Sequence, residues 1–404
     1  MKIIGIIGEF DPFHRGHAHL IAQVRRAYPD SPVVCAMSGA FTQRGGAAIA
    51  SKYARAEMAL RCGVDLVLEL PVQWAVASAE RFAQGGVALL AAAGADCLAF
   101  GSEAGELAGL SWAAEVLDSE AFSVALQPYL KQGLPFAAAR QRALEDVIGV
   151  EAAVLEQPNN LLGIEYLRAI HRLAPGMEAI TFPRVGASHH SQSGFGGFQS
   201  ASALRHLLLN GGLEPACAGM PQPAQEVLRR EWRANRCPAA LEHNTRGLFT
   251  RLRTMTAEEF AALPDCGEGL ENRLLGAVGE SVTLSECYDR VKSKRYAHAR
   301  VRRLILWAYL GLTTGDRPKA LPYLRVLGLT QAGRVILRRA KEQNCLPVVT
   351  KPAAVKGLAE ACQRQFAIDA RVEALWELCL PQLSPAASEW RATPFLAMGK
   401  QKQG

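Results

Sequence analysis

A strand-to-helix turn near residue 10 constrains this chain more than any other segment. The β-branched apolar run Ile3–Ile7 is typical of a buried parallel strand. Asp11-Pro12 ends that run, and the spacing of apolar residues from Leu20 to Val24 predicts a helix that starts near Gly16. The segment 8–17 is therefore expected to connect a buried strand to a helix.

Two histidines lie in this turn, His14 and His17, in the pattern His-x-Gly-His. A helix start presents unpaired N–H groups and the positive end of the helix dipole, and two imidazoles add two donors on the same side. Gly16 lets a ligand approach the backbone closely. A lone histidine at a helix start is more often a cap or a surface residue. The pair directly after an apolar strand instead predicts a site for a nucleoside triphosphate attacked at its α-phosphate.

Strands and helices alternate through the first half of the sequence. Strand-like runs are Ile3–Ile7, Ser31–Met37, Val64–Leu70, Cys97–Phe100 and Glu178–Phe182, and helical spacing marks Ile49–Cys62 and Ala79–Ala93. This alternation predicts an α/β fold with a doubly wound parallel sheet. Ligands of such sheets bind beyond the carboxyl ends of the strands. The loops 8–17, 38–46 and 101–103 are therefore expected to converge on one crevice.

The charge of the chain is distributed unevenly between its halves. Residues 1–220 hold 16 Lys and Arg against 20 Asp and Glu, whereas residues 221–404 hold 29 against 18. A Pro- and Gly-rich stretch, Asn210–Pro223, separates the two compositions. We therefore predict a nucleotide-binding catalytic domain over 1–215 and a mainly helical, basic domain over 216–404 that holds a polyanion. A surface charge tuned only for solubility is the alternative.

The cysteine pattern and the hydropathy exclude several classes of protein. Ten cysteines occur without a Cys-x-x-Cys pair, so neither a disulfide framework nor a structural metal site is expected. No apolar stretch approaches the length of a membrane span. These features predict a protein of a reducing, cytoplasmic compartment without a membrane partner.

Four further segments carry residues suited to anion chemistry. Arg44 lies in a glycine-bounded loop, Asn159 and Asn160 precede a helix, Arg184 is close to a glycine, and Ser200, Ser202 and Arg205 form a Ser-rich helix start. A guanidinium suits a phosphate or a carboxylate, and hydroxyl groups at a helix start suit phosphates. Each segment alone is more often a turn or a capped helix, but together behind His-x-Gly-His they favour a nucleotide site.

This set of motifs resembles the His-x-Gly-His nucleotidyltransferase superfamily and, more narrowly, the bacterial tRNA(Met) cytidine acetate ligase family. The resemblance covers nearly the whole chain. It rests on segments 9–17, 37–45, 55–60, 101–103, 158–166, 200–205, 268–273, 291–296, 325–328 and 346–352. Phe10-Asp11 stands where the family usually has Tyr-Asn, and Arg15 stands where Asn is usual. Asp11 adds a negative charge close to the expected phosphates.

The resemblance implies a Rossmann-like catalytic domain that acetylates N4 of the wobble cytidine of elongator tRNA(Met), through acetyl-adenylate made from acetate and ATP with Mg²⁺. DNA is not an expected partner. It implies catalytic roles for His14, His17, Arg44 and Arg205. It implies ATP contacts at Ile6, Ile7, Gly8, Glu9, Phe10, Asp11, Pro12, Phe13, His14, Arg15, Gly16, His17, Ala18, His19, Gly101, Asn159 or Asn160, Arg184 and Val185, with Ser200 and Ser202 at the phosphates.

The segment 290–303 is the strongest candidate for a tRNA surface. Its candidate contacts are Lys292, Lys294, Arg295, Arg300, Arg302 and Arg303, interleaved with Tyr296 and His298, which could stack on unpaired anticodon bases. A solvated basic helix face is the alternative for this segment. For the whole chain, a nucleotidyltransferase that makes a small-molecule adenylate and an inactive RNA-binding protein remain as alternatives.

Overall fold

A mixed sheet of eight strands connects both halves of the chain in the computed structural model, which describes residues 1–184, 199–267, 269–293, 296–343 and 346–397. The strands are β1 (Ile4–Gly8), β2 (Val33–Ser38), β3 (Leu66–Leu70), β4 (Cys97–Ser102), β5 (Glu178–Pro183), β6 (Leu324–Leu329), β7 (Val348–Val349) and β8 (Phe395–Leu396). Their order is β5-β4-β1-β2-β3-β6-β7, and β8 pairs with β6.

The first five strands are parallel and confirm the predicted doubly wound sheet. In the register, Ile4 of β1 lies opposite Val33 on one side and Cys97 on the other. The chain moves from β1 to β2 and β3 in one direction, then to β4 and β5 in the other. The strand order therefore reverses beside β1, which is where sheets of this type bind ligands.

Helices cover the sheet and make up most of the second half of the described residues. They are α1 (Arg15–Ala27), α2 (Lys52–Arg61), α3 (Val72–Ala75), α4 (Ala79–Ala92), α5 (Leu107–Leu117), α6 (Glu120–Lys131), α7 (Phe136–Ile148), α8 (Pro158–Leu173), α9 (Ala201–Asn210), α10 (Leu213–Cys217), α11 (Gln222–Arg233), α12 (Thr245–Arg253), α13 (Ala257–Ala261), α14 (Leu270–Glu280), α15 (Leu284–Val291), α16 (His298–Leu310), α17 (Gly333–Glu342), α18 (Glu360–Glu377) and α19 (Ser388–Arg391). None of these helices combines the length and apolarity needed to cross a membrane.

Strand β6 is a feature of the second half that the sequence analysis did not predict. It is buried along its whole length and pairs antiparallel with β3, so a segment from beyond residue 300 extends the sheet of the first half. The run Leu-Arg-Val-Leu-Gly-Leu was a strand signal, because five of its six residues lack a charge. The domain boundary near residue 215 stays a prediction.

The buried side chain of Lys52 forms ion pairs that join the two halves of the chain. Lys52 Nζ lies 2.8 Å from Glu69 Oε1, 2.9 Å from Glu389 Oε2 and 3.5 Å from Glu373 Oε2. The Arg325 guanidinium of β6 lies 2.9 Å from Glu389. These residues come from α2, β3, β6, α18 and α19. A cation of the first half therefore neutralises carboxylates supplied by the last 35 residues.

Burial of this cluster changes its protonation. The low-polarity surroundings raise the pKa of Glu373 to about 7, and burial likewise raises the pKa of Asp369, which accepts a hydrogen bond from Tyr323 at 2.5 Å, to about 7. Between the ordinary carboxyl pKa and about pH 7, these groups are therefore protonated in the folded protein but ionised in the unfolded chain. The contribution of these two groups to stability falls as pH rises toward 7.

Replacing Lys52 by methionine tests this cluster. Lys52→Met removes the cation that three buried carboxylates share. In the part of the chain that the structure describes, Glu389 alone of the three keeps an ion-pair partner, Arg325. We therefore expect a loss of about 3–5 kcal/mol in the free energy of unfolding near pH 8. The loss should be smaller at pH 5.5, because the carboxylates can then be protonated. Urea unfolding at both pH values is the measurement. Exposed Lys356→Met is the control, and an equal loss at the two pH values would contradict the expected coupling.

Candidate functional site

His14 and His17 together form a reciprocal cap at the N-terminus of helix α1. His14 Nδ1 accepts hydrogen bonds from the backbone N–H of Gly16 at 3.0 Å and of His17 at 3.4 Å, and His17 Nδ1 accepts one from the N–H of His14 at 3.2 Å. The two rings stack with their centroids 3.7 Å apart. Since both Nδ1 atoms accept, the hydrogen-bond network assigns the proton of each neutral ring to Nε2. The rings are therefore caps that also keep an Nε2–H donor.

Both histidines are neutral at physiological pH. Burial, together with the positive charge of the nearby Arg184 guanidinium, lowers the pKa of His14 to about 3. Burial also moves the pKa of His17 well below its usual range, with His14 and Arg184 adding to the effect. The pair therefore offers hydrogen-bond donors without a formal positive charge.

Two phenylalanine rings pack against His17 in this turn. The rings of Phe10 and Phe13 lie with their centroids 4.9 Å and 5.4 Å from that of His17, and both phenylalanines are fully buried. Phe10 adopts a left-handed backbone conformation with φ of 50°. Such a conformation is costly for a bulky residue, so the surrounding packing must hold it. The phenylalanines therefore fix the position of the His17 ring.

Arg55 joins the carboxyl ends of the first two strands. Its guanidinium donates to the carbonyl oxygens of Glu9 at 2.6 Å, Ser38 at 3.0 Å, Ala50 at 3.0 Å and also Gly39. The side chain is completely buried, and burial lowers its pKa. In the sequence, Arg55 stands out only as part of the segment 55–60 that carries the family resemblance. Its role as a clamp on four carbonyl groups requires long-range contacts that no local pattern reveals.

The predicted convergence of the loops 8–17 and 38–46 is confirmed. Glu9 Oε1 accepts hydrogen bonds from Ser38 Oγ at 3.1 Å and from the Gln43 N–H at 2.7 Å, and burial raises the pKa of Glu9. A tight turn between Thr42 and Gly46, closed by a 3.0 Å backbone hydrogen bond, leaves Arg44 exposed at its tip. The second loop therefore borders the histidine turn.

The loop 101–103 reaches the same region through Arg184. Arg184 Nη1 donates to Asn159 Oδ1 at 2.8 Å, and Asn159 Nδ2 donates to Glu103 at 2.5 Å. A Cβ added at Gly101 would lie 3.1 Å from Arg184 Cγ, so a side chain there would crowd the guanidinium. Asn160 is buried and binds the Ala104 N–H at 2.9 Å. Of the two asparagines, Asn159 is therefore the one beside Arg184, and Val185 lies outside the described residues.

Asp11 and Arg205 form an ion pair on the other side of the turn. Arg205 Nη1 lies 2.7 Å from Asp11 Oδ2, and Asp11 Oδ1 accepts from the Ile49 N–H at 2.6 Å. Ser200 caps α9 by accepting from the Ala203 N–H at 3.2 Å, and Ser202 is exposed. The extra negative charge at position 11 is thus matched by the arginine that the sequence analysis assigned to the phosphates.

The remaining predicted nucleotide contacts extend along β1 and α1. Their exposure differs: Ile6 and Pro12 are buried, Arg15 is exposed, and Ile7, Gly8, Gly16, Ala18 and His19 are partly buried. Ile6 belongs to the hydrophobic core, so contact through its side chain is not open to a ligand and only its backbone can serve.

The basic segment 290–303 packs against the loop that carries Arg44. A Cβ added at Gly45 would lie 2.7 Å from the backbone carbon of Arg302, which shows how closely α16 approaches this loop. Lys292 and Arg302 are exposed, and Arg302 lies over the Tyr288 ring at 5.3 Å. Arg303 is partly buried, while Arg300 donates to the Asp265 carbonyl oxygen at 2.6 Å.

Tyr296 and His298, the residues expected to stack on bases, both have partners within the protein. The prediction that Tyr296 stacks on nucleic-acid bases is wrong, because its ring is buried beneath the Arg300 guanidinium. His298 Nε2 lies 3.2 Å from Asp289 Oδ1. Lys294 and Arg295 lie outside the described residues.

The family comparisons agree with this geometry. The model of the family described as HIGH Nucleotidyl Transferase matches residues 1–389, so fold and site define a nucleotidyl transferase. A tRNA(Met) cytidine acetate ligase of Alkaliphilus metalliredigens is 36% identical over 372 residues, 87% of this chain and 88% of the relative. One of Acetivibrio thermocellus is 32% identical over 395 residues, 94% of this chain and 95% of the relative. The chain belongs to the tRNA(Met) cytidine acetate ligase family.

Solved structures of the same family have the same fold. The apo structure of Thermotoga maritima TmcAL matches with a TM-score of 0.93 and 30% sequence identity, covering 99% of this chain and 100% of that chain. The structure of that protein bound with alpha-thio ATP matches with a TM-score of 0.91 and 29% identity over the same shares of the two chains.

Replacing Gly45 by alanine tests the contact between the Arg44 loop and α16. Gly45 has φ of 77°, and a Cβ there would lie 2.7 Å from the backbone of α16, so Gly45→Ala should lower the free energy of unfolding by about 2 kcal/mol or more. Gly46→Ala is the matched control, since its nearest neighbour would be Thr42 Oγ1 at 3.8 Å. Urea unfolding of both variants is the measurement. Equal stability would show that α16 does not constrain this loop.

Proposed function

We propose that this protein activates acetate with ATP and transfers the acetyl group to N4 of the wobble cytidine of elongator tRNA(Met). Acetate is a poor acyl donor, and the cytosine amine is a weak nucleophile because its lone pair is delocalised into the ring. A mixed anhydride with AMP overcomes both difficulties, since AMP is a good leaving group. The observation that carries the proposal is the pair of neutral, stacked histidines at the start of α1, in a chain of this family.

In the first step an acetate oxygen attacks the α-phosphorus of ATP, and the bond to pyrophosphate breaks. The α-phosphate would lie at the N-terminus of α1, where the Nε2–H groups of His14 and His17 donate to its oxygens. Neutral donors suit this task because they need no proton transfer as charge develops. Gly101, Asn159 and Arg184 would line the rest of the nucleotide.

Arg44 and Arg205 are the proposed cations of this step. Arg44 extends from the exposed tip of the loop beside Glu9 and could hold the acetate carboxylate or a phosphate. Arg205 is paired with Asp11, so leaving pyrophosphate would compete with that carboxylate for the guanidinium. Ser200 and Ser202, at the start of the same helix, would face the β- and γ-phosphates.

Mg²⁺ would enter with the phosphates of ATP. The described residues contain no group of three or more side chains able to hold a metal ion, and both oxygens of Asp11 are already engaged. Magnesium commonly keeps several waters and binds through substrate phosphates with few protein ligands. When bound, it would neutralise charge on the triphosphate.

In the second step the cytidine N4 attacks the acetyl carbonyl carbon, the bond to AMP breaks, and the amine loses a proton. The basic segment with Lys292, Arg300, Arg302 and Arg303 would hold the tRNA backbone, together with Lys294 and Arg295. Its contact with the Arg44 loop supports this role, because a bound RNA strand would then pass close to the adenylate.

Labelled acetate gives the direct test of the activity. Purified protein is incubated with ATP, labelled acetate and total tRNA, and the tRNA is digested to nucleosides. We expect the label in N4-acetylcytidine, with AMP and pyrophosphate formed in parallel. A panel of other carboxylates and of phosphorylated cofactor precursors is run beside it. Turnover with a precursor, and none with acetate plus tRNA, would favour a small-molecule nucleotidyltransferase instead.

Two substitutions at His17 separate catalysis from capping. Asparagine can keep the hydrogen bond from the His14 N–H but lacks the Nε2–H donor, whereas alanine removes both. We expect both variants to lose about 100-fold or more in acetate-dependent adenylation, as is typical when a donor to the reacting group is removed. Only His17→Ala should also lose stability. Exposed His171→Ala is the control, and wild-type adenylation by folded His17→Asn would contradict the assignment.

A further inference from the structure

A narrow crevice lined by arginines lies beside the Arg44 loop. Its walls include Arg300 and Arg303 of α16, Arg317 from the segment after that helix, and Asp265, which is the acidic residue of the lining. Burial lowers the pKa of Arg81, at the start of α4, and the positive charge of nearby Arg317 adds to that shift. Three arginines therefore line the crevice around Asp265. Arg81 lies close to Arg317, with Asp265 and Glu80 as its nearby carboxylates.

These guanidinium groups have few partners. Arg81 Nε and Arg317 Nε are buried and have no hydrogen-bond acceptor in the part of the chain that the structure describes. Arg317 Nη2 lies 3.0 Å from Asp265 Oδ2, and Arg300 donates to the Asp265 carbonyl oxygen. Burial lowers the pKa of Arg303, and the cations Arg300 and Arg317 contribute to the same shift. The cluster thus has an excess of positive charge and of unpaired donors, which an anion would relieve.

The cations are held in position by packing. Arg317 lies over the Trp307 ring at 5.8 Å, and Arg300 lies over the Tyr296 ring at 5.4 Å. Trp307 itself is fixed by a 2.7 Å hydrogen bond from its Nε1 to the Val76 carbonyl oxygen. Arginines stacked in this way lose less freedom when they bind an anion than extended surface arginines do.

The crevice is connected directly to the candidate active site. Gln43, whose N–H binds Glu9, also donates through Nε2 to the Ala77 carbonyl oxygen at 3.0 Å. Val76, the neighbour of Ala77, lines the crevice. On the other side, Gly45 packs against the backbone of α16 next to Arg303. A molecule bound beside the Arg44 loop would therefore lie next to the crevice.

We propose that Arg81, Arg303 and Arg317 bind one backbone phosphate of the RNA substrate, near the cytidine that is modified. This inference rests on the proposed function, and it adds Arg81 and Arg317 to the tRNA contacts expected from segment 290–303. A phosphodiester supplies two charged oxygens that can accept hydrogen bonds from the guanidinium groups at the crevice. Inorganic phosphate has the same chemistry, but a phosphate tethered to a bound nucleotide arrives at a much higher effective concentration.

Phosphate scanning of the RNA tests the proposal on the unmodified protein. Affinity is measured for a set of anticodon stem-loop RNAs of elongator tRNA(Met), each with one neutral methylphosphonate linkage. One linkage in or next to the anticodon loop should weaken binding about 5–10-fold, in the range of a single strong phosphate contact. The same linkage should have no further effect on Arg317→Gln or on Arg81→Gln. Arg371→Gln, an exposed arginine on α18, is the control and should respond as the wild type does.

The outcomes separate this inference from the proposed function. The phosphate site alone would be overturned if the wild type acetylates the RNA but every linkage weakens binding as much in Arg317→Gln and Arg81→Gln as in the wild type. Failure of the wild type to bind or acetylate the RNA would overturn the proposed function as well. Displacement of the RNA by millimolar inorganic phosphate in wild type, but not in Arg317→Gln, would indicate a free-phosphate site and contradict the RNA assignment. Arg317→Lys should recover part of the affinity, which excludes loss of folding as the cause.

Discussion

The hydrogen bonds of the buried Arg55 guanidinium hold the centre of this protein in place. They join the carbonyl groups at the ends of β1 and β2, where the histidine turn and the Arg44 loop begin. A buried guanidinium is costly unless its charge and donors are compensated, and four carbonyl acceptors together with nearby carboxylates such as Asp11 and Glu9 offset that cost. The backbone at this edge of the sheet is therefore held before any ligand arrives, so the donors of α1 are already oriented.

The turn favours an anion although neither of its two histidines carries a positive charge. The two histidines are neutral, Glu9 is shifted toward its protonated form, and Asp11 is paired with Arg205. The helix N-terminus and the two Nε2–H groups supply dipoles, and Arg184 and Arg44 are cations near the turn. Such an arrangement stabilises charge that develops during phosphoryl transfer more than charge that is already present.

The second half of the molecule contributes to the site by contact as well as by charge. Helix α16 packs on the Arg44 loop at Gly45, and β6 continues the sheet. Lys52 forms an ion pair with Glu389 of the C-terminal region. A basic surface on a separately mobile domain would bind RNA at a variable distance from the adenylate. Here the arginines of α16 lie at a set distance from the Arg44 loop.

The sequence alone predicted the features that depend on neighbours along the chain. These include the turn at His14 and His17, the five parallel strands, and the convergence of loops at their carboxyl ends, because apolar periodicity and helix-start chemistry are local properties. The tertiary structure alone decided which distant groups meet. It paired Asp11 with Arg205, buried Tyr296 in a core shared with residues from segment 40–47, placed β6 beside β3, and brought Glu373 and Glu389 to Lys52. Contacts between residues more than a hundred positions apart leave no periodic trace in a single sequence, because burial and pairing are set by packing of the whole chain.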